Sequence, residues 1–275
     1  MKKSIRLVLF VITLGCSALT SCGNDNKTIE PDKPTTPTEV NPLNVFTGGV
    51  PLSYGEYNIL KNVKGQVSAI QANNGDEKIT FEYMESTSNN ANTPNVVMTL
   101  ESKEEKLILY LFLNKEGFVK HCDETKYHRG DLSRKETWDF TYNNKGQLLS
   151  MFRSEGNERT TIKYEAGNVV STTEKAVNGT RNKTHKVYYT SQSVPSPIVN
   201  KGCIMLFDTT LGIDMDEMQY AYFAGLLGKA TKHLPVRLVG NEGEEESFAW
   251  HLNASGYPTS MVRSHAPNWT NTFTW

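Results

Sequence analysis

Apolar and polar residues alternate through most of the chain beyond residue 50. In 138–151, Trp138, Phe140 and Tyr142 alternate with Asp139 and Thr141, the period-2 pattern of a strand with one buried face. Asn143-Asn144-Lys145-Gly146 reads as a turn, with Gly146 at a left-handed position, and Leu149 and Met151 start a return strand. The unit recurs. Leu109, Leu111 and Leu113 run into Asn114-Lys115-Glu116-Gly117, and Phe248, Trp250 and Leu252 run into Asn253-Ala254-Ser255-Gly256. A shorter variant turns at Ala166-Gly167, and a fainter one at 62–65. These glycines are irregularly spaced, which argues against a solenoid of fixed period and for an antiparallel meander with loops of varying length.

The same reading predicts strands at 67–72, 78–84, 96–101, 106–113, 118–122, 160–164, 168–173, 185–190, 236–239, 247–252, 259–263 and 270–275, with a first strand somewhere in 50–60. Strand 106–113 is apolar on both faces, which predicts cover on both sides. The stretch 195–211 reads as irregular. A helix is expected near 214–228: Asp214 and Glu217 have capping-box spacing, Met218, Tyr222 and Leu226 form an apolar stripe, and Gly228 supplies a stop. That helix is expected to plug a barrel end or to cover 106–113. The fold class is therefore mostly β, an antiparallel hairpin meander forming a curved sheet or barrel-like domain with one packed α-helix. Asp139 and Thr141 on one strand, and Thr161 and Lys163 on another, oppose the apolar face. A spanning barrel would need an apolar outer band there, so the expectation is a soluble barrel, apolar inside.

The first 21 residues carry Lys2, Lys3 and Arg6 before a short apolar core, the layout of a secretion signal. Leu19-Thr20-Ser21-Cys22 resembles a bacterial lipobox. That resemblance implies that Cys22 becomes the mature N-terminus and carries the lipid. Gly23 follows, so the Asp that marks inner-membrane retention in some lipoproteins is absent, and the outer membrane is expected. Residues 22–44 hold Pro31, Pro34, Pro37 and Pro42 among polar residues and read as a tether. The domain is expected over 45–275. The lipobox, tether and hairpin meander, together with Gly225-Leu226-Leu227-Gly228-Lys229 and Leu234-Pro235, resemble an uncharacterised family of bacterial lipoproteins described as having a porin-like fold. The resemblance implies a barrel-like antiparallel sheet and supplies no catalytic residues.

Composition narrows the chemistry. The chain has 29 Lys+Arg against 30 Asp+Glu, and loss of the signal's three positives leaves it mildly acidic. A domain without a basic stripe is a poor nucleic-acid binder. Cys122 and Cys203 remain after Cys16 leaves and Cys22 is lipidated. In an oxidising envelope they are a possible disulfide or two separate buried thiols. His121, Cys122, Asp123, Glu124 and His128 are the densest set of metal-ligand types, but no second spaced pair completes a site, and they read as a strand end and polar loop. Glu242, Glu244, Glu245 and Glu246 read as a solvated loop. Tyr188, Tyr189, Trp250, Trp269 and Trp275 are core or glycan-stacking aromatics. The Gly225–Thr231 stretch lacks the residues of a phosphate loop, and no nucleophile elbow or zinc-protease helix occurs. No metal or cofactor is implied. The sequence supports a lipid-anchored, non-enzymatic binding module whose ligand is a glycan, lipid or peptide. A hydrolase of envelope or dietary polysaccharide, or a structural lipoprotein docked to an envelope protein, is the alternative.

Overall fold

The computed structural model of the chain describes residues 40–84, 93–176 and 182–275. The expected signal, the lipobox-like stretch with Cys22 and most of the expected tether lie outside the described residues. Within them, alternation of apolar and polar side chains builds a closed antiparallel barrel. Its strands run β1 (Ser53–Tyr54), β2 (Tyr57–Lys61), β3 (Val67–Ala72), β4 (Lys78–Tyr83), β5 (Val96–Glu101), β6 (Glu105–Leu113), β7 (Val119–His128) and β8 (Asp131–Tyr142). They continue with β9 (Leu148–Arg153), β10 (Glu158–Glu165), β11 (Asn168–Ala176), β12 (Asn182–Tyr188), β13 (Arg237–Gly240), β14 (Glu245–Leu252), β15 (Pro258–Arg263) and β16 (Thr270–Thr274). Each pairs with its neighbour in sequence, and β1 closes on β16 with Ser53 opposite Thr274 and Tyr54 opposite Phe273. Closure leaves the sheet no open edge.

One end of the barrel, the floor, is made by a repeated turn. At Asn62, Asn114, Asn143 and Asn253 the side-chain oxygen accepts the N–H of the residues two and four further on, at 2.9–3.1 Å. Gly65, Gly117, Gly146 and Gly256 follow three residues after these asparagines, all left-handed with φ between 78° and 86°. In all four hairpins the register shifts at the last strand residues before the Asn, a bulge at the same place each time. At Ala166-Gly167 both residues have positive φ, the requirement of a two-residue hairpin turn. The opposite end, the mouth, carries the alternate connections, among them 129–130, 154–157, 241–244 and 264–269.

The interior is filled from the floor upward. Leu107, Leu109, Leu111, Met98 and Trp138 of the wall are fully buried. Against them packs the connection 189–236 between β12 and β13, which holds α1 (Phe207–Leu211) and α2 (Gln219–Phe223). Phe223 stacks on Tyr54 at 5.0 Å, Tyr220 meets Tyr57 at 5.8 Å, and the Thr172 hydroxyl donates to the Leu211 carbonyl at 2.7 Å. The segment then runs beneath three adjacent floor turns. The Leu226 carbonyl accepts from the Val119 N–H, while the N–H groups of Lys229 and Lys232 donate to the carbonyls of Gly146 and Gly167.

The structure corrects five expectations. The helix expected near 214–228 is one 3-10 turn at Asp216–Met218 followed by the five-residue α2. No capping box forms, because Asp216 turns to Arg153 at φ +41° and the Asp214 carboxylate accepts only from the Asp216 N–H. Gly225, not Gly228, stops the helix: it is left-handed, and the Leu226 N–H reaches back to the Ala221 carbonyl. The stretch 195–211, expected to be irregular, contains α1. Strand β6 is covered on one side only, with Tyr110 of its outer face 38% exposed. The polar loop expected beyond 122 is the far half of β7, which turns tightly through Arg129-Gly130 into β8. Packed chain also begins before residue 45, since Val40 and Pro42 are buried and the Gln66 amide donates to the Val40 carbonyl.

Candidate binding site at the mouth of the barrel

On β8 the residues sharing the inward parity of Trp138 and Phe140 are Glu136 and Arg134, and on β7 Glu124 follows Cys122 inward. The mouth half of the interior is therefore charged. Glu124 and Glu136 are directly opposite in the register, and both are almost wholly buried. The Trp138 indole donates to Glu124 at 3.1 Å. Arg134 bridges Glu124 at 3.3 Å and Glu136 at 2.9 Å, and reaches Glu155 at 2.6 Å. Arg153, stacked over the Trp138 ring at 4.7 Å, holds Glu136 at 3.2 Å, Glu155, and Asp216 of the plug at 2.5 Å. Two guanidiniums thus face four carboxylates. Burial, and then the neighbouring Glu136, pushes Glu124 up to about 7. Burial likewise raises Asp216 against the pull of Arg153. Glu136, Arg153 and Glu124 have no exposed surface to offer a substrate. The network joins wall to plug.

Above it opens a recess of about 410 Å³. Glu174 of β11, Lys183 and His185 of β12, Asp208 and Asp214 of the plug, Glu244 and Glu246 beside and on β14, and Arg263 and His265 line it. Burial lowers the His185 pKa below its ordinary value, with Lys183 acting in the same sense and Glu244 opposing, so the ring is neutral at pH 7. Glu246 is fixed. Despite its burial its pKa is lowered, because it accepts from the His265 N–H, the Ser264 hydroxyl and Arg263 at 2.8–3.2 Å. What remains is a charged recess with a surplus of carboxylates, suited to holding a small polar ligand by hydrogen bonds.

The sheet divides the set 121–128. His121 and Asp123 point outward, where His121 bonds Asp139 at 2.7 Å and Asp123 at 3.2 Å, while Cys122 and Glu124 point inward. Among the described residues no group of three His, Cys, Asp or Glu is arranged to hold a metal. Cys122 and Cys203 are both free thiols, Cys122 deep in the core and Cys203 in the plug connection. The glycines at 117, 146, 167 and 256 all sit in floor turns. Tyr189, Trp250 and Trp275 pack against the core, with the two indoles donating to the carbonyls of Pro235 and Pro258 at 2.7 Å. Trp269 stands 77% exposed. None of the recess residues stands out as a site in the sequence; Glu244, Glu245 and Glu246, expected there as a solvated loop, line the recess. The signal available was parity: a charged residue two positions from Trp138 on a strand points where Trp138 points.

With this geometry in hand, comparison with known proteins is informative about the fold. A family described as a domain of unknown function with porin-like fold, DUF4595, matches residues 57–260. The chain belongs to this family. The match runs from β2 into β15 and includes the plug and the recess residues other than Arg263 and His265. A porin-like protein of Bacteroides uniformis, solved by crystallography, is 20% identical, with a TM-score of 0.54 over 79% of this chain and 87% of that one. A second, from Bacteroides vulgatus, is 12% identical with a TM-score of 0.49 over 79% of this chain and 91% of that one. No curated protein matches the sequence. For this DUF4595 chain, "porin-like" describes the closed sheet. The outer wall carries Lys135, Asp139 and Lys163 where a membrane barrel needs an apolar band, and the lumen is filled.

Proposed function

We propose that the protein is a lipid-anchored binding module of the cell envelope, held to the outer membrane through Cys22 and taking a small polar ligand in the recess at the barrel mouth. The observation that carries this reading is the division of the interior. The floor half is closed by an apolar plug, and the mouth half is a charged recess assembled from several strands and the plug. The apolar plug fills the floor half of the lumen, and Glu124 and Glu136 are buried and held by arginines, which favours binding over passage or catalysis at that pair. The lipobox, the secretion signal and the tether support the address.

The test is native mass spectrometry of the full-length protein, expressed in a bacterial envelope and released in mild detergent. A retained small mass is expected, and Asp208→Asn with His185→Ala in one chain is expected to lose it while keeping the melting temperature. A bare mass from well-folded protein, together with no shift in melting temperature across a panel of sugars, amines and peptides, would overturn the reading.

A further inference from the structure

A second concavity lies outside the barrel, on the wall formed by β13, β14 and β15, with a volume of about 880 Å³. It runs from the loop 191–194 at the floor end to Ser264 and Pro267 at the mouth end. Its base is a narrow apolar strip that includes Ala249, Val262 and Val194. This volume is in the range that holds a small-molecule ligand; the groove meets the recess of the proposed function at Glu245 and Arg263, which line both, and is otherwise formed by different residues.

Three observations define what it would take. The first is Arg237. Its guanidinium lies over the Tyr188 ring at 4.2 Å, which fixes its plane. It is nevertheless under-coordinated: Nε is buried with no hydrogen-bond partner, and Nη1 reaches the two Glu245 oxygens only at 3.3 and 3.4 Å. Arg263, the other arginine of the groove, is held by Glu246 at 3.0 and 3.2 Å. The buried Nε is out of a ligand's reach, so a carboxylate in the groove would meet the Nη1–Nη2 edge of this planar, stacked guanidinium, through two parallel hydrogen bonds. The second observation is the groove's polar rim. The Ser191 and Ser193 hydroxyls stand 3.1 Å apart beside Gln192, with Ser247 facing them from β14, a mixture of donors and acceptors that suits vicinal hydroxyls. The third is Trp269. The loop that supplies Ser264 and Pro267 also carries this residue, 77% exposed, an apolar face of the kind that stacks on a sugar ring.

We infer that this outer-wall groove binds a carboxylate-bearing saccharide, with Arg237 on the carboxylate, the 191–193 loop and Ser247 on the hydroxyls, and Trp269 against a ring. Glu245 then has a definite part. It is the ligand carboxylate's competitor for Arg237, so removing its charge should strengthen binding.

The probe is an unsaturated-free galacturonic acid trisaccharide, titrated by calorimetry into the full-length protein in mild detergent, with its methyl ester as the neutral control. The acid is expected to bind and the ester to bind at least about tenfold more weakly. Arg237→Lys, which keeps the charge and loses the planar fork, is expected to weaken the acid about tenfold. Glu245→Gln is expected to tighten it several-fold, a gain that a merely damaged fold would not give. Trp269→Ala, at an exposed position, is expected to weaken acid and ester alike. Equal binding of acid and ester, indifference to Arg237→Lys in a variant that melts normally, tighter binding of an acidic dipeptide than of the trisaccharide, or no binding of the acid at millimolar concentration would each overturn the inference.

Discussion

Glu124 and Glu136 stand opposite one another on neighbouring strands, where like charges repel. The chain accommodates them with two arginines and with a proton. Glu124 is faced by Glu136 and Arg134 of β8, by the Trp138 indole and, more distantly, by Glu217 of the plug, and its pKa rises from 4.5 to about 7. The folded state therefore takes up a proton that the unfolded chain gives up, so stability is greatest below about pH 4.5 for this group and is lost as pH rises to about 7. Glu124→Gln keeps an acceptor for the Trp138 indole and abolishes the titration. It is expected to stabilise the domain at pH 8 by on the order of 1–3 kcal/mol and to gain little at pH 5. Urea denaturation at the two pH values measures this. A variant equally or less stable than the parent at pH 8 would show that the Arg134 contact outweighs the repulsion. Little of this site is visible in sequence. Arg153, Asp216 and His185 lie far apart in the chain, and only closure of the barrel around its plug brings them to one end.

The elements divide in the same way. Strands β3 and β5 are legible to the residue: in β5 the buried apolar positions Val96, Met98 and Leu100 alternate with the less buried Val97, Thr99 and Glu101, and in β3 Val67 and Ile70 are buried beside Ser68 and Gln71. The far half of β7 and the near half of β8 are not, because their inward positions are Glu124, Lys126, Arg134 and Glu136, and the alternation vanishes when both faces are polar. The helix was misjudged for the opposite reason. Its apolar stripe is real, but the segment is buried on all sides, so tertiary contacts rather than helical periodicity set its path. Gly228 shows how closely that path is fixed. It is left-handed at φ +85°, and a Cβ there would stand 2.6 Å from the Gly146 carbonyl oxygen, the same oxygen that accepts from the Lys229 N–H. The plug is thus seated on the central hairpin turn by a backbone contact that leaves no room for a side chain at 228. Gly228→Ala is expected to cost ~3 kcal/mol, the sum of an unfavourable left-handed residue and displaced backbone. Gly65→Ala, also left-handed but with nothing within 4 Å of the added Cβ, is expected to cost ~1 kcal/mol. Chemical denaturation of both variants compares them, and equal losses would mean that the close approach contributes nothing.

At the scale of the whole molecule, the route of the chain would separate the proposed attachment at Cys22 from the proposed binding recess. The packed chain begins at Val40, whose carbonyl accepts from Gln66 of the first floor turn, and continues through Pro42, Phe46 and the plug residues Tyr222 and Phe223. The described chain thus starts at the floor of the barrel, while the charged recess opens at the other end. A barrel anchored this way would present its mouth on the side opposite its leash, the arrangement a tethered binding module needs. Among the described residues the contacts that hold the barrel begin at Val40, so the fold is expected to be indifferent to a change at residue 22. Cys22→Ala is accordingly expected to move the protein from the membrane fraction to the soluble fraction of the envelope while leaving its melting temperature unchanged. Fractionation and a thermal melt of the same preparation separate the two halves of the argument. Retention in the membrane would show that Cys22 is not the anchor, and a lowered melting temperature would show that residues before Val40 contribute to the domain.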